Sequence, residues 1–139
     1  MDEIVTELQE YLGESIGADP SIVAVYLFGS RTRGEAKEES DIDIAFLLDE
    51  NTYKSDPFEA TAPPYMIATR IGMRLGKNTD VTILNSSSLE LAYEVVTTGF
   101  CLYEQDPDKR LEYEATLRGM YYDFKPFLTK LRTKCIQRL

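Results

Sequence analysis

Asp41 and Asp43 lie two apart in a stretch where apolar residues alternate (Ile42, Ile44, Phe46, Leu48), so a strand would present both carboxylates on one face. Carboxylates side by side repel unless a cation lies between them. Mg²⁺, a hard ion that prefers oxygen ligands, is the natural candidate. Ten residues separate Asp41 from Gly29-Ser30, which ends the apolar run Ile22 to Phe28. A strand that stops at Gly-Ser exposes backbone N–H groups and a hydroxyl, a turn that favours an anion such as the outer phosphates of a nucleotide. Glycine lacks the Cβ that would keep phosphate oxygens off the backbone. The Gly-Lys-Ser/Thr of a Walker A loop is absent. Asp80, ahead of the apolar Val81 to Leu84, is a third acid that can join the pair from a neighbouring strand, bridging metal or taking the proton of an attacking hydroxyl. Arg31 and Arg33 follow the turn within reach of phosphates, although solvated loop arginines are an equally simple reading. An anion turn with acids that hold a pair of ions suits in-line displacement at phosphorus, which needs little covalent help from protein.

Each piece alone has a plainer reading: Gly-Ser as a turn, D-x-D as a solvated strand edge, Asp80 as a cap. Their order is what singles them out: buried strand, Gly-Ser, ten residues, D-x-D opening a second strand.

The elements that must position these residues follow from apolar spacing. Ile4, Leu8, Tyr11 and Leu12 predict an amphipathic helix over about 2–16, ended near Gly13 or Gly17. Asp19-Pro20-Ser21 marks a turn, and Ile22 to Phe28 reads as a buried strand. Residues 31–40 are polar, a loop or short helix, and a second strand runs from Asp41. Residues 49–62 look irregular, a candidate mobile loop. Pro63-Pro64 is placed to open a helix that Gly76 closes. Asp80 to Leu84 is a third strand, Ser87 with Glu90 forms a capping-box pattern for a helix ending at Gly99, and Phe100 to Tyr103 is a short fourth strand. From about 107 the pattern is helical, with Pro126 expected to kink or split it. The order α-β-β-α-β-α-β-α predicts an α/β (α+β) protein, a small mixed β-sheet flanked by helices.

Composition excludes much. The 139 residues suit one domain, and no apolar run reaches membrane-spanning length. The acidic start, Met1-Asp2-Glu3-Ile4, lacks the order of a signal peptide, so a cytoplasmic protein is expected. Cys101 and Cys135 form no C-x-x-C unit. There is no histidine, which removes Ser-His and Cys-His nucleophiles, H-E-x-x-H zinc sites and any imidazole base. Residues 1–105 carry seven Lys and Arg against nineteen Asp and Glu, whereas residues 106–139 carry eight against five. An acidic body argues against direct nucleic-acid binding.

The segment FGSRTRGEAKEESDIDIAFLL, residues 28–48, resembles the GSx10DxD signature of nucleotidyltransferases in the DNA polymerase β superfamily. The closest likeness is to the stand-alone minimal nucleotidyltransferases, and it covers most of residues 1–105. The resemblance implies a polymerase β-like nucleotidyltransferase core over 1–105 and a C-terminal helical extension over 106–139, packed on the core or on a partner. It implies that Gly29 and Ser30 hold the phosphates of an NTP. Asp41, Asp43 and Asp80 would bind two Mg²⁺, with Asp80 activating the attacking hydroxyl.

Larger members of the superfamily hold their acceptor in a second domain, for which this sequence leaves too little chain. Leu117, Tyr121, Phe124, Leu128, Leu131 and Cys135 make a heptad-like seam, and Tyr113, Tyr122 and Phe127 lie off it. A seam packed on the body is the simpler reading, but the surplus of aromatic surface points to a protein partner. Proteins of this kind pair with HEPN-domain proteins in toxin–antitoxin systems. In the MntA-type antitoxins, AMP passes from ATP to a tyrosine of the HEPN ribonuclease toxin. The resemblance therefore implies an adenylyltransferase antitoxin with ATP as donor and a HEPN toxin as partner. The alternatives are a binding-only antitoxin on the same scaffold and a small-molecule nucleotidyltransferase.

Overall fold

The computed structural model describes residues 2–17, 19–29, 32, 34 and 40–137. Helix α1 (Asp2–Ile16) turns Val5, Leu8, Leu12 and Ile16 into the core and stops before Gly17, whose φ of 59° an L side chain rarely adopts. Strands β1 (Ile22–Phe28) and β2 (Ile42–Leu48) are almost continuously apolar because both of their faces are covered. Helices α2 (Glu50–Ser55) and α3 (Pro57–Leu75) follow, then β3 (Thr79–Ile83), a 3₁₀ turn at Leu84–Ser86, α4 (Leu89–Thr98), β4 (Phe100–Glu104) and α5 (Pro107–Gln137).

The four strands form one mixed sheet in the order β3-β2-β1-β4. β1 is antiparallel to β2 and to β4, and β2 is parallel to β3. The alternation of β2 divides the core. Ile42, Ile44, Phe46 and Leu48 join α1 and α3 on one face, while Ala45 and Leu47 meet α4 and α5 on the other. Among the described residues no helix is long and apolar enough to cross a membrane.

Four local expectations are corrected. Residues 49–62 are not an irregular loop but α2 and the start of α3. Asp49 caps α2 by accepting from the Thr52 N–H, Asp56 caps α3 by accepting from the Glu59 N–H, and Pro57 takes the first turn, where its missing N–H costs nothing. Pro63 and Pro64 therefore lie inside α3 rather than at its start. Ser88, not Ser87, caps α4, its Oγ accepting from the Leu91 N–H; Ser87 is used up closing the 3₁₀ turn onto Leu84. Pro126 does not split α5, which runs unbroken through an exposed stretch where water can take the freed carbonyl. Gly76 does close α3, at φ 64°, and β3 begins one residue early, at Thr79.

At 31 residues α5 is about 46 Å long. Its first half is fastened to the sheet by a buried polar network. The Tyr26 hydroxyl donates to Glu114 Oε2 (2.9 Å), Arg110 Nε lies 2.8 Å from the same oxygen, and Arg118 reaches Glu114 Oε1 at 3.2 Å. Arg110 also bonds Glu104 at 2.8 Å. A carboxylate only 5% exposed is tolerable because both its oxygens are paired. Beyond Leu117 the helix crosses α4, where Tyr121 stacks on Tyr93 at 3.6 Å and Arg132 meets Glu90. Along the same stretch Phe124, Phe127, Leu131 and Ile136 are exposed and Leu128 is half-buried, so the heptad-like seam packs fully only at Leu117.

Burial raises the Tyr26 hydroxyl well above the usual tyrosine range; the Arg110 bond opposes this and Glu114 adds to it. The folded value thus exceeds the unfolded one, and the stability it represents is complete below about pH 10 and lost as pH rises further. Urea unfolding from about pH 8 to about pH 11 is expected to show stability falling above about pH 10, by at most about 1.4 kcal/mol per pH unit for each such group. Tyr26→Phe should flatten that slope. Tyr113, pushed up to about 12 by burial and by Glu50 and Glu114, contributes to what remains.

Candidate active site

The register of the two central strands puts the turn against the acids. Phe28 pairs with Asp43, so Gly29 emerges from β1 beside that carboxylate. Gly29 has φ 82°, and a Cβ built on it would stand 2.2 Å from Asp43 Oδ2. The backbone angle therefore favours glycine, and a Cβ would push the Asp43 carboxylate aside. The Thr32 N–H and hydroxyl then donate to the Gly29 carbonyl at 3.1 and 2.9 Å, folding the chain back after the strand. Ser30, Arg31 and Arg33 lie outside the described residues.

On the other side of β2, the parallel register pairs Asp43 with Asp80. Paired residues point to the same face, so Asp43 and Asp80 share one, while Asp41 stands just before β2, which begins at Ile42 rather than at Asp41. Asp43 and Asp80 thus stand on adjacent strands at one end of the sheet, on the face that α4 and α5 cover further along, with Asp41 at the entry to β2. Asp41 and Asp80 are exposed and Asp43 is half-buried. Asn78 fixes the approach of β2 to β3 by accepting the Ile42 N–H at 2.9 Å, and the Thr79 hydroxyl ties β3 to the Ala68 carbonyl of α3 at 3.1 Å.

As placed, no three His, Cys, Asp or Glu side chains among the described residues converge closely enough to hold a metal ion. The donor set nevertheless fits a hard divalent cation: three carboxylates at one end of the sheet, and the missing Cβ of Gly29 leaves room at Asp43. Strand spacing of about 4.8 Å and about 6.8 Å between same-face neighbours put the three backbones within the reach of rotating aspartate side chains.

Two features escaped the sequence reading. Thr32 closes the turn, signalled only by a hydroxyl three residues beyond a glycine. Asp41 and Asp80 also open into a cleft of about 820 Å³, walled by Thr69 and Met73 of α3 and by Lys77 and Asn78. The hint was the pair Gly72 and Gly76 at the end of the helix before Asp80; a Cβ on Gly72 would meet the Lys77 carbonyl at 2.7 Å. A second pocket, about 380 Å³ between Leu47, Lys109 and Tyr113, lies at the opposite end of the sheet from the acids.

The chain matches the family of polymerase beta nucleotidyltransferases over residues 9–108, and it belongs to that family. Within it, the chain is similar to the protein adenylyltransferase MntA of Shewanella oneidensis, 33% identical over 92 residues that make 66% of this chain and 61% of that relative. The match thus spans less than two thirds of that relative's length. To the MntA of Aphanizomenon flos-aquae it is 30% identical over 109 residues, 76% of this chain and 72% of the relative. Its fold is that of a chain in the structure of a tri-AMPylated Shewanella oneidensis HEPN toxin in complex with MNT antitoxin, with a TM-score of 0.65, 22% identity and coverage of 97% of this chain and 98% of that one.

Gly29→Ala is expected to cost about 1–3 kcal/mol in backbone strain and to displace the Asp43 carboxylate, lowering affinity for the non-hydrolysable ATP analogue AMP-PNP about tenfold or more by calorimetry. Gly17→Ala, at φ 59° with nothing within 4 Å of the added Cβ, carries similar strain far from the site and should leave that affinity alone.

Proposed function

We propose that this chain is a Mg²⁺-dependent adenylyltransferase that moves AMP from ATP to a tyrosine hydroxyl of a HEPN-type ribonuclease toxin and so neutralises it. The observation that carries this reading is the fit of Gly29 against Asp43, with Asp80 in register beside it: strand pairing keeps the turn and the acids at one end of the sheet. A scaffold retained only for binding has no use for three neighbouring carboxylates. The names of the two curated relatives and the AMPylated toxin complex support the acceptor class.

In this reading the backbone at Gly29 and the Ser30 hydroxyl hold the outer phosphates of ATP, steadied by Arg31 and Arg33. Asp41, Asp43 and Asp80 would hold Mg²⁺, which when bound offsets the charge of carboxylates and phosphates at the reacting centre. The Asp80 carboxylate accepts the proton of the tyrosine hydroxyl as its oxygen bonds the α-phosphorus. The bond from that phosphorus to the bridging oxygen breaks, and pyrophosphate leaves. The exposed apolar residues of α5, with Lys125, Lys130 and Lys134 among them, form the surface on which the partner rests.

Incubating the chain with ATP, Mg²⁺ and the HEPN-type protein encoded beside it should add whole AMP units to that protein, read by intact mass. Asp41→Asn/Asp43→Asn should abolish the gain. Toxin neutralisation that persists in the double variant, with no mass change in either case, would sink the enzymatic reading and leave an antitoxin that acts by contact.

A further inference from the structure

Across the sheet, the parts of the site stand in a fixed sequence: the Gly29 turn after β1, Asp41 and Asp43 at the start of β2, and Asp80 on the edge strand β3, whose first residues also line the cleft beside the last turns of α3. Neighbouring strands are about 4.8 Å apart. Displacement at phosphorus runs in line, with the entering oxygen opposite the leaving one. With the outer phosphates at the turn, pyrophosphate departs toward β1. The attacking hydroxyl must then come from the side of β3.

On that side the opening shared by Asp41 and Asp80 is the 820 Å³ cleft. Its volume lies in the upper part of the about 300–1,000 Å³ usual for ligand sites, enough for a tyrosine ring and a length of flanking backbone. The walls suit a polypeptide. Gly72 and Gly76 leave one side bare of side chains, and Thr69 and Asn78 offer hydrogen-bonding groups. Met73, 79% exposed at the lip, is an adaptable apolar contact. We propose that the acceptor segment enters through this cleft, with Thr69 and Met73 touching the residues beside the acceptor tyrosine and thereby selecting the substrate. The proposal rests on the adenylyl-transfer reading and uses the same balance of bonds: oxygen joins the α-phosphorus, pyrophosphate leaves, and the proton passes to Asp80.

The competing occupant is the nucleoside of ATP, and the test separates the two. Thr69→Trp and Met73→Trp narrow the cleft from exposed positions outside the core, and Met73→Ala widens it. Each full-length variant is titrated with AMP-PNP and Mg²⁺ by calorimetry and assayed for AMP transfer to the neighbouring HEPN-type protein. The expected result is AMP-PNP affinity within about twofold of wild type and a KM for the acceptor protein raised about tenfold or more by either tryptophan, less by alanine. A tenfold loss of AMP-PNP affinity in the tryptophan variants would assign the cleft to the nucleotide and overturn the proposal. Transfer unchanged by both tryptophans, with wild-type activity present, removes the proposal alone. A wild-type chain that binds AMP-PNP yet leaves the partner unmodified removes the adenylyl-transfer reading and this inference with it.

Discussion

The site depends on how two central strands are paired. The antiparallel register of β1 and β2 sets Phe28 opposite Asp43, so the glycine that ends one strand arrives beside the carboxylate that begins the other. A shift of one residue would turn Asp41 and Asp43 to the opposite face and bury them under α1 and α3. The apolar alternation of β2 prevents that shift, because Ile42, Ile44, Phe46 and Leu48 must all stay with the same helices. Burial of one face thus holds the chemistry of the other in place.

The same strand has a second anchor. Tyr26, three residues before Gly29, is pinned to α5 through Glu114 and Arg110. The helix that carries the exposed apolar surface therefore grips the strand that leads into the turn. Whatever rests on the far half of α5 is mechanically connected to β1 through one buried glutamate, whose two oxygens are shared among a phenol and two guanidinium groups.

The mixed sheet, its helices and the acids were legible in the sequence because each rested on strong periodicity or a rigid spacing. Asp43 and Asp80 lie on paired strands where their apolar neighbours implied, and Asp41 stands one residue before β2. Short-range signals misled where two readings competed for one residue type. Asp56-Pro57 opens α3 at least as well as Pro63-Pro64, and the choice turns on Ala60 finding a place in the core. Ser87 and Ser88 both suit a cap, and the 3₁₀ turn decides between them. The Glu114 network and the cleft beyond Asp80 were not legible, since they join residues far apart in the chain or depend on the absence of side chains at Gly72 and Gly76.

The three acids owe their spacing to backbone hydrogen bonds between strands rather than to the side chains packed beneath them. The distance between paired strands is nearly the same whatever apolar residues cover the sheet. Such a site can be inherited intact while the interior is rewritten by neutral drift, provided total volume and alternation survive. That tolerance accounts for a chain that retains its relatives' fold at 22% identity. It also confines the strictest evolutionary veto to places where the backbone itself leaves no room for a side chain, position 29 through its positive φ and positions 72 and 99 through the carbonyls an added Cβ would meet.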